Sequence, residues 1–99
     1  MKDKIEYKSE ISNLLLHSKP VGILLSLKGS EGKYASIVSK EIDCTYTHTL
    51  KILNDFRKFG IVDFKKDGRI KEIFLTDKGL DIAHDLEGLV RGLEQLDSD

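Results

Sequence analysis

The chain has one cysteine, one proline, one methionine and no tryptophan in 99 residues. A single thiol, Cys44, excludes an intramolecular disulfide framework and fits a reducing compartment. No apolar run approaches the roughly 18 residues that a membrane-spanning helix needs. The longest, from Val21 to Leu27, already contains Gly22 and Ser26. The first residues, Met1-Lys-Asp-Lys-Ile-Glu, are charged and lack the apolar centre of a signal peptide, so a cytoplasmic location is expected. Internal repeats and low-complexity stretches are missing. Nor is there a P-loop, a nucleophile elbow or a glycine-rich dinucleotide fingerprint, so no enzymatic activity, catalytic residue or cofactor is expected. What is present is a 39% hydrophobic share, enough for one core in one domain.

A surplus of charge is missing too: 16 basic residues face 17 acidic ones, a net charge of −1. Taken whole, that balance argues against a nucleic-acid partner. Its distribution argues otherwise. Residues 1–79 carry 15 basic and 11 acidic side chains, a net of +4. Residues 80–99 carry one basic residue, Arg91, and six acidic ones (Asp81, Asp85, Glu87, Glu94, Asp97, Asp99), a net of −5. A basic body with an acidic tail points toward a polyanion for the body.

Apolar spacing divides the chain into elements. Ile11, Leu14, Leu15 and Leu16 form a short helical stripe, and a second helix restarts at Ser18-Lys-Pro20, with Ser18 as its expected cap and Pro20 in its first turn. Val21, Ile23, Leu24, Leu25 and Leu27 make that helix apolar on nearly all sides, hence buried. Lys28-Gly-Ser-Glu-Gly-Lys33 reads as a loop. Ser36 is the expected cap of a third helix carrying Ile37, Val38 and Ile42. After Asp43-Cys44, a longer helix over 45–58 repeats Thr49, Ile52, Leu53 and Phe56 on one face and ends at Phe59-Gly60, with Gly60 in a left-handed conformation. Two helices separated by about three residues form a helix-turn-helix. Ile61, Val62 and Phe64, then Asp67-Gly68, then Ile70, Ile73, Phe74 and Leu75 predict a two-stranded hairpin turning on Asp67-Gly68. Thr76 is the expected cap of a last helix whose residues Ile82, Leu86, Leu89, Val90, Leu93 and Leu96 form an apolar stripe with steps of four and three. That stripe needs a covering partner, either its own domain or a second chain, and a homodimer interface that also uses the N-terminal helix is expected.

The fold class is therefore α+β, mainly α: a winged helix-turn-helix with a β-hairpin wing and a C-terminal dimerisation helix. Residues 1–99 form one domain, with an N-terminal extension over 1–18, a core over 19–79 and the terminal helix over 80–99. The run Val38-Ser-Lys-Glu-Ile-Asp-Cys-Thr-Tyr-Thr-His-Thr-Leu-Lys-Ile-Leu-Asn-Asp-Phe-Arg-Lys-Phe-Gly-Ile-Val62 resembles, without a gap, the helix-turn-helix of MarR-like transcriptional regulators. Tyr46-Thr47-His48 looks like the archaeal and bacterial members. Phe59-Gly-Ile-Val62 and Leu75-Thr-Asp-Lys-Gly79 are similar to the sequences that precede and follow the wing in that family. The likeness spans about residues 20–80. Asp43 stands where the family usually has a turn glycine, and the chain is short for a member. A small-molecule effector is left open.

The resemblance implies a dimeric, sequence-specific regulator of double-stranded DNA in the cytoplasm, associated with the nucleoid. The helix over 45–58 would enter the major groove, and a basic wing over 65–71 would meet the minor groove or backbone. On the face opposite the core, Thr45, Tyr46, Thr47, His48, Lys51 and Asn54 are the candidate reading residues. Lys65, Lys66, Arg69 and Lys71 are the wing candidates, with Arg69 best placed for minor-groove insertion. Ser36 opens a helix whose first N–H groups could hold a phosphate. The alternative is a protein–protein adaptor, in which Lys65 and Lys66 only solubilise a hairpin and protect its edge. Cys44 and His48 lie four apart, a metal-compatible spacing, but no second cysteine exists and His17 and His84 are distant in sequence, so no metal site is expected.

Overall fold

The computed structural model describes residues 7–97. Residues 1–6, the whole of the charged N-terminal run, and 98–99, with Asp99 of the acidic tail, lie outside the described residues. The elements are α1 (Glu10–Leu15), α2 (Ser18–Leu27), β1 (Lys33–Tyr34), α3 (Ala35–Glu41), α4 (Tyr46–Lys58), β2 (Val62–Asp67), β3 (Ile70–Leu75) and α5 (Asp77–Asp97). The strands form an antiparallel sheet in the order β1-β3-β2. This is a winged helix-turn-helix: α3 and α4 are its helix pair, and the β2–β3 hairpin is its wing.

Two helix starts differ from the sequence expectation. Ser18 does not cap α2. His17, with φ −143° and ψ 159°, is the capping residue, and its carbonyl accepts from the Val21 N–H at 3.1 Å. Helical backbone thus begins at Ser18 itself. Ser36 does not cap α3 either, because Tyr34 is held extended by its pairing with Glu72 and becomes the last non-helical residue. Ser36 falls in the first turn, exposed. The two-residue strand β1 is the sheet's addition to the expected hairpin. The loop before it is clasped by Lys33, whose ammonium donates to Glu41 at 2.7 Å. That bond, with one from the Ser26 hydroxyl, holds the Glu41 carboxyl below the usual carboxylate range.

The turn between α3 and α4 needs Asp43 at φ 55°, the left-handed region a short polar side chain tolerates. Lys19 latches this turn from α2, its Nζ donating to the carbonyls of Ile42 at 2.9 Å and Asp43 at 2.7 Å. Thr45, expected as the first residue of the helix over 45–58, instead lies just outside α4 and caps it, its hydroxyl accepting from the His48 N–H at 3.2 Å. The four periodic residues Thr49, Ile52, Leu53 and Phe56 are all buried. At the other end Gly60 has φ 77°, its N–H donates to Arg57 O at 3.0 Å, and the Ile61 N–H donates to Phe56 O at 3.0 Å. Those paired bonds are a Schellman motif, sealed by buried Ile61 in the position that packs on Phe56.

The wing turns one residue later than Asp67-Gly68. Asp67 pairs with Ile70, so Gly68 and Arg69 form the loop, and of the two only Gly68, at φ 64°, has positive φ. That is the glycine-first pattern of a II′ turn, and it places Arg69 at the tip. The core gathers Ile23, Leu24 and Leu27 of α2, Val38, the α4 face, Ile61, Val62, Ile73, and Ala83 and Leu86 of α5.

Thr76 ties the wing's end to its beginning. Its hydroxyl donates to the carbonyls of Gly60 and Ile61 and accepts from the Gly79 N–H at 3.1 Å, while its own N–H donates to Ile61 O at 3.0 Å. Thr76→Val keeps the shape and removes the hydroxyl, so it is expected to cost about 2 kcal/mol as the cap and the carbonyl bonds are lost. Urea denaturation reads this as a lowered midpoint at constant slope. A midpoint equal to the wild type's would show that the hydroxyl is dispensable.

Candidate nucleic-acid interface

Because Thr49, Ile52, Leu53 and Phe56 turn one face of α4 inward, its remaining faces stand outside the domain. Thr45, Tyr46, Thr47, His48, Lys51 and Asn54 are all exposed, Tyr46 at 52% despite its ring. The Thr45 oxygen is engaged in capping, and a hydroxyl used as an acceptor still has its proton to donate. Lys51 lies 3.5 Å from Asp55 on the same helix, with its side chain 73% exposed, so the pair is loose and solvated.

The wing stands beside this helix. A groove of about 400 Å³ runs between them and brings together Ser36, Tyr46, Asn54, Arg69 and Lys71. Lys65 and Lys66 are exposed on the hairpin outside that groove, while Thr45 and Thr47 lie at the open end of α4. His48 and Lys51 face the other way, into a second cleft against α1 and the start of α2. The candidates thus fall on two flanks of α4, five in the groove beside the wing and two in the cleft opposite, with Lys65 and Lys66 farther out on the hairpin.

Cross-strand pairing puts Lys66 directly opposite Lys71. Like charges so placed repel and weaken the hairpin, and an anion lying over them would relieve the repulsion. Phe64 holds part of the charge in place, with the Lys71 ammonium 5.4 Å and the Arg57 guanidinium 4.9 Å from its ring centre. Arg57 and Lys58 were missed by the sequence reading. They join Asn54 around a depression of about 410 Å³ that continues the surface toward the end of α4. The signal was available, since both precede Gly60 on a helix whose inner face was already assigned. Arg57 also lies 3.4 Å from Asp63 at the base of the wing.

Cys44 is half-buried in the turn. Among the described residues no group of three His, Cys, Asp or Glu side chains is placed to hold a metal ion. Among them too, no helix is long and apolar enough to cross a membrane.

The stripe on α5 divides in two. Leu86 is buried in the chain's own core and Ile82 packs against it. Val90 is half-buried, and Leu89, Leu93 and Leu96 are exposed at 57%, 55% and 81%. Glu87 anchors the helix at this boundary through Lys28, 3.0 Å away, whose hydrogen bond holds the Glu87 carboxyl below the usual range.

No family model matches the chain. An uncharacterized protein of Archaeoglobus fulgidus is 25% identical over 91 residues, which cover 88% of this chain and 96% of that protein. The crystal structure of AF1382 from Archaeoglobus fulgidus superposes with a TM-score of 0.75 at 26% identity, covering 86% of this chain and 98% of that one. The MarR family transcriptional regulator SPO1453 from Silicibacter pomeroyi gives a TM-score of 0.76 at 21% identity, covering 86% of this chain and 62% of its own. The Staphylococcus aureus MepR–DNA complex gives a TM-score of 0.72 at 16% identity, covering 88% and 74%. The chain has the winged-helix fold of MarR-like regulators.

Proposed function

We propose that the protein is a sequence-specific regulator of transcription that binds double-stranded DNA as a homodimer. The observation that carries this is the surface made by α4 and the wing. Its exposed hydroxyls, amide, imidazole and ammonium groups flank a protruding helix, and its hairpin sets Lys66 against Lys71. Self-repelling lysines on a wing weaken the isolated fold and favour a polyanion partner. The solved MepR–DNA complex, which shares the fold, supports the same reading.

In this reading α4 lies in the major groove. Thr45, Tyr46, Thr47, His48 and Asn54 read base edges or the adjoining backbone, and Lys51 neutralises a phosphate. Arg69 at the wing tip enters the minor groove, while Lys65, Lys66 and Lys71 take phosphates beside it. The first N–H groups of α3 near Ser36 add a backbone contact. The half of the α5 stripe left outside the core (Leu89, Val90, Leu93, Leu96) joins two copies, and its acidic residues point away from the duplex. Such a protein works in the cytoplasm on the nucleoid, without catalytic chemistry.

The test is a duplex-binding titration against the promoter of its own gene and random DNA at about 50 mM salt. Tighter binding to the promoter, with affinity falling steeply as salt rises, is expected. Replacing Tyr46, Lys51 and Arg69 together by Ala should abolish that binding with little change in melting, since all three are exposed. Equal affinity for promoter and random DNA, or full binding by the triple variant, would sink the reading in favour of a winged-helix adaptor.

A further inference from the structure

The wing occupies only one flank of the recognition helix, and the opposite flank is also basic. There a cleft of about 510 Å³ separates α4 from α1 and the start of α2, floored by Leu14, Pro20 and Ile52. Its rim carries His17, Ser18, Lys19, His48 and Lys51, drawn from both sides. Asp55 is the acid among the lining residues, and Lys51 lies 3.5 Å from it. We propose that this shoulder is a second phosphate-backbone seat, which receives the DNA strand on the side of α4 away from the wing.

The inference rests on the DNA reading above and adds residues from outside the helix-turn-helix and wing. A helix lying in a major groove about 12 Å wide has a phosphate ridge on each side. The wing meets one ridge, and whatever stands beyond His48 and Lys51 meets the other. Two of the groups there, Lys19 and the His17 ring, are set in position before any ligand arrives. Lys19 Nζ is fixed by the carbonyls of Ile42 and Asp43, which consume two of its three protons and leave the third. The His17 ring lies 3.0 Å from the Asn13 carbonyl through Nε2. A carbonyl only accepts, so the Nε2 proton is spent on it; this fixes the ring as a wall of the cleft, and the neutral ring has no second proton to give a phosphate. No side chain caps α2, and Ser18 and Lys19, its first two residues, line the cleft. Little side-chain entropy remains to be lost on contact with a phosphate.

Ser18→Glu separates binding from folding. A carboxylate in the first turn of α2 favours the helix dipole, so the melting temperature should hold or rise. The same charge repels a phosphate at the shoulder. Affinity for the promoter duplex and for random DNA should fall together, about three- to tenfold, and the slope of log affinity against log salt should shrink by about one. On unaltered protein, ethylation of backbone phosphates should interfere with binding on both sides of the major groove. With Lys65, Lys66 and Lys71 replaced together by Ala the wing-side interference should fade and the shoulder-side interference remain.

Ser18→Glu binding within twofold of wild type at the same salt slope would overturn the shoulder. So would ethylation interference confined to the wing side. In either case tighter binding of the wild type to the promoter than to random DNA leaves the DNA reading standing. A wild-type protein that binds no duplex overturns both.

Discussion

Gly79→Ala is expected to destabilise the domain by about 3 kcal/mol or more, which lowers the melting temperature by about 12–25 °C. A Cβ built on Gly79 falls 1.9 Å from the Ile61 carbonyl oxygen and 2.9 Å from its carbon. Both are backbone atoms, and that carbonyl also accepts from the Thr76 N–H and hydroxyl. No rotamer change can relieve the clash. Either α5 lifts from the wing's base or the Ile61 peptide moves and breaks those bonds. Gly88 is the internal control, because nothing lies within 4 Å of its built Cβ and it sits on an exposed turn of the same helix. There alanine removes glycine's helix penalty and should stabilise by up to about 1 kcal/mol. Thermal melts of the two variants should therefore move in opposite directions. If Gly79→Ala melts with the wild type, the close approach does not exist in solution.

That contact explains two short motifs that looked independent in the sequence. Phe59-Gly-Ile-Val62 and Leu75-Thr-Asp-Lys-Gly79 are the two halves of one knot. Gly60 turns the chain out of α4 and leaves the Ile61 carbonyl pointing at the start of α5. Thr76 closes on it, and Gly79 has no side chain to hold it off. The residues were legible, and so was their order. Their mutual contact was not, because a periodicity argument sees only neighbours along one element.

The same divide runs through the rest of the fold. The inner face of α4 follows from i, i+3, i+4 and i+7 spacing, and the structure buries all four residues it named. Gly60 and Thr76 end or begin helices through local bonds, and local sequence announced them; Thr45 was placed one residue inside the helix that it caps. Ser18 and Ser36 failed as caps for a different reason. At Ser36, a tertiary pairing of Tyr34 with Glu72 decided where the helix begins, and two residues are too short a strand to show a period. The wing turn slipped by one because the Asp67–Ile70 pair belongs to the ladder, which the register of the whole hairpin fixes. Among the candidate contact residues, those on α4 and the hairpin could be listed from exposure patterns. The α1–α2 shoulder could not, since Lys19 reaches it through carbonyls 23 and 24 residues away.

Replacing Leu89 and Leu93 together by Ser should convert the proposed dimer to a monomer and remove most of the proposed DNA affinity. The two side chains are 57% and 55% exposed on a helix anchored by buried Ala83 and Leu86 one to three turns earlier. Burial of a leucine contributes about 1.5–3 kcal/mol. In a two-fold symmetric interface each substitution counts twice, and each leucine has only about half of its surface left to bury, so dimerisation weakens by about 3–6 kcal/mol. Serine rather than glutamate keeps the charge of α5 unchanged, so any loss on DNA comes through assembly and not repulsion. Tethering two reading heads gains about 10²–10⁴ in avidity, and that factor should disappear from promoter binding while binding to a single half-site persists. The monomer should melt as a folded domain, because both positions lie outside the core. Sedimentation at micromolar concentration checks the mass and a titration checks the affinity. A variant that keeps the wild type's mass would move the dimer interface elsewhere. One that becomes monomeric yet binds the promoter undiminished would show that a single winged helix suffices.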